Sequence, residues 1–225
     1  MMLDCISVEN MRRSDEYTIA NFVPSLELMH RAAWGVFQAV SQWDRTAIVV
    51  GSGNNGGDGF ALACILHDNQ IPCTVFRVSQ KASNDSLYYC NKAEEAGVDI
   101  RPYESGCLEG YSMVVDCLLG TGFQGTVRSD YRIAIEEINK SGAYVISVDI
   151  NSGMNGDTGE AELAVNSDLT VTIGFVKTGL IAPNAGQHMK KLVCVDIGIT
   201  LIREEMKITE DNRPSWLDMS VLKAY

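Results

Sequence analysis

The amino-acid sequence predicts an α/β protein whose central sheet is mostly parallel and covered by helices on both faces. Three observations carry this prediction: short apolar runs recur along the chain, helical segments stand between them, and glycine-rich turns follow several of the runs. A chain of 225 residues is long enough to form one domain with a sizeable core.

The elements follow from the spacing of apolar residues. Residues 8–22 have a weak helical pattern, and a stronger apolar stripe begins after Pro24-Ser25. The expected strands are residues 47–50, 73–78, 113–119, 143–148, 169–175 and 192–197, and further helices are expected at 60–66, 83–96 and 128–140. Residues 1–203 are therefore predicted as one domain. Residues 204–225 lose the alternation and are expected to be an acidic tail, docked or loose, or the remnant of a linker.

Composition narrows the range of functions. A net charge of -11 argues against a nucleic-acid partner bound through a basic surface. The seven cysteines are scattered and no pair has Cys-x-x-Cys spacing, which indicates small core residues in a reducing compartment. The first residues lack signal-peptide features, and no apolar run approaches the roughly 20 residues of a membrane span. We therefore expect a cytoplasmic protein without a membrane partner.

The turn after the first of the apolar runs, Gly51-Ser52-Gly53-Asn54-Asn55-Gly56-Gly57-Asp58-Gly59, resembles a phosphate-binding turn by its Gly-x-Gly-x-x-Gly spacing. Asp58 is unusual there, because a carboxylate would repel a pyrophosphate seated in the same turn. It could instead cap a helix that starts at Gly59. Where a dehydrogenase has a ribose-binding acid, this chain has Arg77-Val78-Ser79, which weakens a nicotinamide-dependent oxidoreductase hypothesis further.

Polar side chains stand at three strand ends. Asn54 and Asn55 follow the first of these strands, Asp116 lies within the third, and Asp149 with Ser152 follows the fourth. Since the ligand crevice of an open parallel sheet lies beyond the carboxyl ends of its strands, we expect these side chains to meet in one site. Asp149 is placed there for general acid–base work. Lys177 could add a positive charge, although a surface lysine is the simpler interpretation.

Asp116 interrupts a run that is apolar enough to be buried on both faces. A buried carboxylate must be neutralised, hydrogen-bonded or paired with a cation. One hypothesis is an ion, monovalent rather than magnesium, held by Asp116, an amide of Asn54 or Asn55, and the Ser152 hydroxyl. The alternative is a carboxylate that accepts hydrogen bonds from backbone N–H groups of a neighbouring loop. The sequence leaves both open.

Taken together, Gly53–Gly59, Val115-Asp116 with Gly120–Phe123, and Val148–Gly153 with Asp157-Thr158-Gly159 resemble the NAD(P)H-hydrate epimerase family, the YjeF N-terminal domain. The blocks 168–180 and 195–199 continue the likeness, which runs from about residue 8 to 200. The resemblance implies a Rossmann-like three-layer α/β/α sandwich, usually dimeric. It also implies an isomerase that interconverts the R and S epimers of hydrated NADH or NADPH, so that a partner dehydratase can restore the cofactor.

By position, the resemblance implies potassium ligands at Asn55, Asp116 and Ser152, and makes Asp149 the candidate acid–base residue. The implied substrate contacts are Asn54, Asn55, Gly56, Gly57, Asp58, Gly120, Thr121, Gly122, Phe123, Gln124, Gly125, Thr126 and Asp149. Two departures stand out: Leu28-Met29-His30-Arg31-Ala32-Ala33 replaces Leu-Met-Glu-x-Ala-Gly, and Asn151 replaces a proline, which predicts a looser turn beside Asp149. The alternative function is a non-catalytic nucleotide- or protein-binding scaffold of the same fold.

Overall fold

The computed structural model describes residues 2–225, which form five α-helices and eleven strands. Met1, the first residue of the domain predicted at 1–203, lies outside the described residues. The strands are β1 (Met2–Ile6), β2 (Thr46–Val50), β3 (Cys73–Arg77), β4 (Asp99–Pro102), β5 (Met113–Cys117), β6 (Tyr144–Val148), β7 (Leu169–Ile173), β8 (Val176–Lys177), β9 (Leu192–Asp196), β10 (Met206–Thr209) and β11 (Leu217–Lys223). The helices are α1 (Val8–Asn21), α2 (Ser25–Ala39), α3 (Asn54–Asp68), α4 (Asn84–Ala96) and α5 (Ser129–Lys140).

Eight strands form the central sheet in the order β11-β9-β7-β6-β5-β2-β3-β4, and every neighbouring pair runs parallel. The chain first winds from β2 towards β4 and then from β5 towards β11. The winding therefore reverses between β2 and β5, which is where the ligand crevice of such a sheet opens. The predicted α/β class and parallel sheet are confirmed.

Helices cover both faces of this sheet. On one face α3 packs against both α2 and α4, and the run from Phe60 to Leu66 is buried on all sides, as its continuous apolar pattern predicts. On the other face α5 buries Ala134, Ile135 and Ile138 against residues of β2 and β5. Three layers result, with the core on either side of the sheet.

A second sheet, in the order β10-β1-β8, was not expected from the sequence. Its apolar residues, including Leu3, Cys5 and Ile208, form one cluster with Leu192 and Cys194 of β9. The small sheet thus covers the part of the central sheet around β9. It also positions α1, which follows β1 directly.

The C-terminal segment is docked on the domain. β11 pairs parallel with β9 and aligns Leu217 with Leu192, while β10 pairs antiparallel with β1. Leu217 and Met219 are buried. A boundary at residue 203 would leave both strands outside the domain, so the folded unit extends beyond the predicted limit. The tail loses the helix–strand alternation because its strands join two different sheets without an intervening helix.

All seven cysteines are free, and five of them are buried, in agreement with small core residues. None of the helices within residues 2–225 is both long enough and apolar enough to cross a membrane.

Candidate active site

A cavity of about 630 Å³ opens at the carboxyl ends of the strands, beside the point where the winding reverses. This volume is within the range of small-molecule sites. Its walls come from α1 and α2, from the turn between β2 and α3, from the segment after β5, and from the ends of β6 and β7. Of the side chains predicted to meet here, Asn54, Asn55 and Asp149 line the cavity, whereas Asp116 and Ser152 are fully buried and are not part of its lining.

The glycine turn forms one wall of the cavity. Helix α3 begins at Asn54 with Gly53 as its N-cap, and no side chain within residues 2–225 caps its first turn. The amides of that turn are thus available to an anion. The expectation that Asp58 caps a helix starting at Gly59 is wrong, because the helix has already begun five residues earlier.

Gly51 sets the distance between this turn and the segment after β5. A Cβ atom at Gly51 would lie 1.9 Å from the Leu118 carbonyl oxygen, so no residue with a side chain fits. The close approach brings Asn55 next to Leu119, and the Nδ2 of Asn55 donates to the Leu119 carbonyl at 3.1 Å. A glycine that looked like part of a phosphate motif is needed here to join two strand ends.

Asp116 is completely buried and accepts four hydrogen bonds. Its Oδ1 accepts from the Ser152 hydroxyl at 2.5 Å and the Leu118 amide at 3.2 Å, and its Oδ2 from the Ser147 hydroxyl at 2.8 Å and the Ser152 amide at 3.0 Å. Burial raises the pKa of Asp116, and these hydrogen bonds oppose that shift. No lysine or arginine within residues 2–225 pairs with it. Asp116 thus accepts hydrogen bonds from backbone N–H groups, as the second hypothesis for this residue expected. These hydrogen bonds do not supply a positive charge to balance an ionised carboxylate.

The three predicted cation ligands meet around Leu119. The Ser152 hydroxyl accepts from the Leu119 amide at 2.8 Å and contacts Asp116, while Asn55 bonds the Leu119 carbonyl. Asn55 is 7% exposed, and its Oδ1 has no hydrogen-bond partner in the described part of the chain. Asn55 and Ser152 both contact the Leu119 carbonyl, and Ser152 also contacts the Asp116 carboxylate. A buried amide oxygen without a partner in such a set of oxygen atoms suits an oxygen-coordinated cation. The oxygen atoms of Asn55, Asp116 and Ser152 therefore fit the potassium ion that the resemblance implies.

Ionisable side chains alone would not hold a metal at this site. Among residues 2–225 no group of three or more His, Cys, Asp and Glu side chains is arranged around a common point. A cation at Asp116 would depend on neutral oxygens from amide, hydroxyl and carbonyl groups. Such a donor set with one formal charge favours a monovalent ion, as the sequence suggested.

Asp149 follows β6 and lines the cavity. Its backbone has a φ of +67°, a left-handed conformation that is uncommon for a residue other than glycine. Its Oδ1 accepts from the Ile173 amide at 3.2 Å and from the Lys177 Nζ at 2.5 Å. Its Oδ2 accepts no hydrogen bond from residues 2–225. One oxygen is thus fixed, and the other is free for a ligand.

Lys177 is 1% exposed, so the interpretation as a surface lysine is wrong. Its Nζ donates to Asp149, to the Ile173 carbonyl at 2.6 Å and to the Thr172 hydroxyl at 3.1 Å. All three protons of the ammonium group are used, as a buried charge requires. The lysine lines the cavity and fixes the Asp149 carboxylate.

Three further carboxyl groups line the cavity: Asp58 of α3, Asp15 of α1 and Asp85 of α4. Burial raises the pKa of Asp58 well above its ordinary value, and the charges of Asp149 and Asp15 add to the shift while Lys177 opposes it. Burial also raises the pKa of Asp15, again with a contribution from Asp149. The cavity therefore holds an ion-paired carboxylate together with carboxyl groups that retain protons more readily.

A protein-family model described as YjeF-related protein N-terminus matches residues 25–179, more than half of the chain. The chain belongs to the YjeF N-terminal family. The resemblance drawn from the motifs is confirmed.

Relatives of this family cover most of the chain. The chain is 35% identical over 205 residues to the NAD(P)H-hydrate epimerase of Oenococcus oeni, covering 86% of this chain and 96% of the relative. It is 32% identical over 197 residues to the bifunctional NAD(P)H-hydrate repair enzyme Nnr of Coxiella burnetii, covering 84% of this chain but only 40% of that protein. The crystal structure of yeast ynu0 superimposes with a TM-score of 0.75 at 19% identity, covering 93% of this chain and 98% of the other, and so shares the fold.

The substrate contacts that the resemblance implies fall into three groups in this YjeF N-terminal chain. Asn54, Asn55, Asp58, Gly120, Thr121, Gly122, Phe123 and Asp149 line the cavity. Gly56 and Gly57 are buried in the first turn of α3. A Cβ atom at Gly56 would lie 2.4 Å from the Gly51 carbonyl oxygen, and one at Gly57 would lie 2.6 Å from the Met29 side chain. Residues 124–126 are exposed and lie outside the cavity. Contact of this last group with a substrate remains a prediction.

Asn151, which replaces the family's proline, does not loosen the turn beside Asp149. It is fully buried, and its Nδ2 donates to the carbonyl oxygens of Val165 at 2.9 Å and His188 at 2.8 Å. Its Oδ1 accepts from the Thr170 hydroxyl at 2.7 Å. An amide that ties three segments together restrains the loop by hydrogen bonds instead of a ring. The prediction of a looser turn is therefore wrong.

Proposed function

We propose that this chain is an NAD(P)H-hydrate epimerase, which interconverts the R and S epimers of hydrated NADH and NADPH for cofactor repair. The observation that carries the proposal is the Asp149–Lys177 ion pair, seated in the same cavity as the open amides of the Asn54 turn. The proposal is supported by the epimerases among its relatives.

Asp149 is the proposed acid–base residue. Epimerisation by loss and return of the hydroxyl breaks the carbon–oxygen bond at the hydrated ring carbon, and water then adds to the opposite face. The lone pair of the ring nitrogen stabilises the electron-deficient carbon between the two steps. Asp149 has one oxygen fixed by Lys177 and one without a partner, so it can take the proton of the adding water.

The negative phosphates of the substrate need positive partial charges in a chain of net charge -11. The uncapped amides at the start of α3 supply them. We further propose a potassium ion held by Asn55, Asp116 and Ser152, which would neutralise the buried carboxylate and strengthen the attraction for an anionic substrate.

The bifunctional relative suggests that the product passes to an NAD(P)H-hydrate dehydratase, which we propose as the functional partner. A homodimer and a cytoplasmic location complete the proposal. Sedimentation of the purified chain tests the first, and fractionation of cells tests the second.

The deciding experiment mixes the purified protein with both hydrate epimers and an epimer-specific dehydratase, and follows the recovery of reduced cofactor. We expect full recovery, because the unreactive epimer is converted continuously. If the unreactive epimer is consumed only at its spontaneous rate of conversion, the chain is not an epimerase. A non-catalytic binding scaffold would then be the remaining explanation.

Isotopic labelling tests the chemistry separately. In water enriched in oxygen-18, loss and return of the hydroxyl places solvent oxygen on the product carbon. Product that retains its original oxygen would point to opening and closure of the ring, and would remove the proposed role of Asp149 while leaving the epimerase activity in place.

A further inference from the structure

We propose that Asp15 of α1 is a second catalytic residue of the proposed epimerase, which donates the proton to the leaving hydroxyl while Asp149 accepts one from the adding water. This assignment rests on the proposed function and adds a residue that the sequence motifs do not contain.

The position of Asp15 in the cavity wall is the first observation that supports this role. Met11, Asp15 and Ile19 are spaced by four residues and line the cavity together as one stripe of α1. The carboxyl group thus stands between two apolar side chains of that stripe. Asp149 belongs to a different wall, at the end of the sheet, so a ring bound between them can meet a carboxyl group from each wall.

Helix α1 holds this position firmly. An adjacent face carries Asn10, Ser14 and Thr18, all buried. Asn10 donates to the Arg203 carbonyl at 2.7 Å, and the Thr18 hydroxyl accepts from the Thr200 amide at 2.9 Å. Side chains that anchor the helix to the segment after β9 keep the neighbouring stripe of Asp15 in place, as a proton donor needs.

Asp15 itself has no structural partner. Its neighbours Arg12 and Glu16 form an ion pair on the exposed side of the helix, whereas Asp15 makes no hydrogen bond or ion pair within residues 2–225. The Asp15 carboxyl group therefore contributes no hydrogen bond to the fold, and it is available to a ligand in the cavity that it lines.

The charges around Asp15 suit a donor. Asp149 and Asp85 face it with negative charge, Glu16 adds to them from its own helix, and Lys177 opposes them. Asp58 lies in the same cavity, and Arg12 lines it from α1. Burial with an excess of carboxylates raises the pKa of Asp15. Asp149 has a lysine partner and Asp15 has none, which separates an acceptor from a donor.

The proton balance is complete. The Asp15 carboxyl gives its proton to the departing oxygen, which leaves as water with the electron pair of the carbon–oxygen bond. Water adds to the other face and passes a proton to Asp149. Proton exchange with bulk water then returns Asp15 to its protonated state and Asp149 to its ionised state. In the reverse direction the two residues exchange roles, since the reaction interconverts opposite configurations at one carbon.

The test compares Asp15→Asn, Asp15→Glu, Asp58→Asn and the control Glu16→Gln, which removes one negative charge from the exposed side of the same helix. We expect Asp15→Asn to lower kcat about 100-fold or more with KM changed less than about threefold, and to lose the fall in kcat on the alkaline side of the pH profile. Asp15→Glu should restore about a tenth of the activity or more, and Glu16→Gln should stay within about twofold of the parent.

A parent enzyme that epimerises both hydrates while Asp15→Asn keeps more than about a third of kcat would overturn this assignment alone. Loss of kcat and of the alkaline limb in Asp58→Asn, with Asp15→Asn active, would make Asp58 the donor and also overturn it. A parent chain without activity on either epimer would instead refute the proposed function itself. Unfolding temperatures near that of the parent confirm that each variant is folded.

Discussion

The Nζ of Lys177 lies 2.5 Å from Oδ1 of Asp149, and the two residues stand 28 positions apart at the ends of different strands. The lysine is almost fully buried, whereas the side chain of Asp149 is 18% exposed. Solvent therefore reaches the Asp149 end of the ion pair but not the Lys177 end. Because a left-handed φ of +67° at Asp149 is costly for a residue other than glycine, the surrounding contacts must hold it there. This is the kind of strain that functional sites retain.

The asymmetry predicts unequal costs when the pair is broken. Asp149→Asn leaves the Lys177 charge buried without a counter-charge and should lower the free energy of unfolding by about 3–5 kcal/mol. Lys177→Met leaves a carboxylate that water can reach and should cost about 1–2 kcal/mol. The double variant should be more stable than Asp149→Asn alone. Urea unfolding of all three measures these differences.

Lys190→Met is the matched control, because Lys190 pairs with Asp168 at 2.6 Å but is 80% exposed. Its cost should not exceed about 1 kcal/mol. If Asp149→Asn proves no more destabilising than this surface variant, the buried pair does not contribute as described.

Asp58 should lower stability as the pH rises. Its folded-state pKa is raised by burial and by the neighbouring carboxylates, so its stabilising contribution is fully present below the unfolded pKa and is lost as the pH rises through the folded one. Asp58→Asn should match the parent near about pH 4 and unfold a few degrees higher near about pH 8. Thermal unfolding across that range measures the effect. An equal difference at both pH values, or the same gain in Glu16→Gln, would contradict the electrostatic cause.

The proposed cation site makes a separate prediction. Potassium chloride should stabilise the parent protein relative to choline chloride by about 1.4–2.7 kcal/mol at 10 to 100 times the dissociation constant. Asn55→Ala should abolish this response, because it removes the unpartnered buried Oδ1. Asn54→Ala is the control, since the amide oxygen of Asn54 already accepts from the Ser83 hydroxyl at 2.6 Å. A potassium response that survives in Asn55→Ala would place the ion elsewhere.

The parts of the fold that sequence reasoning found are those with strong local signals. The central strands are continuous apolar runs, and Asp116 was found because it interrupts one of them. Strand β1 and the C-terminal strands lack such a signal. They mix buried residues with partly or fully exposed ones, and the strands they pair with can lie far along the chain, as with Leu3 opposite Ile208.

The residues of the candidate site also divide into those with a local sequence signal and those without one. Asn54, Asp116 and Asp149 follow or interrupt strands, so topology alone brings them together. Lys177 and Asp15 depend on long-range packing: a lysine after a strand and an acid on a polar helix are usually exposed. One signal was present for Lys177, because it follows a run apolar enough to be buried. A buried charge needs a partner, and Asp149 was one of the carboxylates expected at the same end of the sheet.

The extent of the folded unit is testable within a single strand. Leu217 and Val221 both lie in β11, yet Leu217 is 1% exposed and Val221 is 37% exposed. If β11 is an integral strand, Leu217→Ala should lower the free energy of unfolding by about 2–4 kcal/mol, whereas Val221→Ala should cost less than about 1 kcal/mol. Urea unfolding with a single probe compares them. Equal and small losses would mean that β11 detaches before the rest unfolds. The predicted domain boundary at residue 203 would then mark the end of the part that unfolds cooperatively, although β11 is docked on that part.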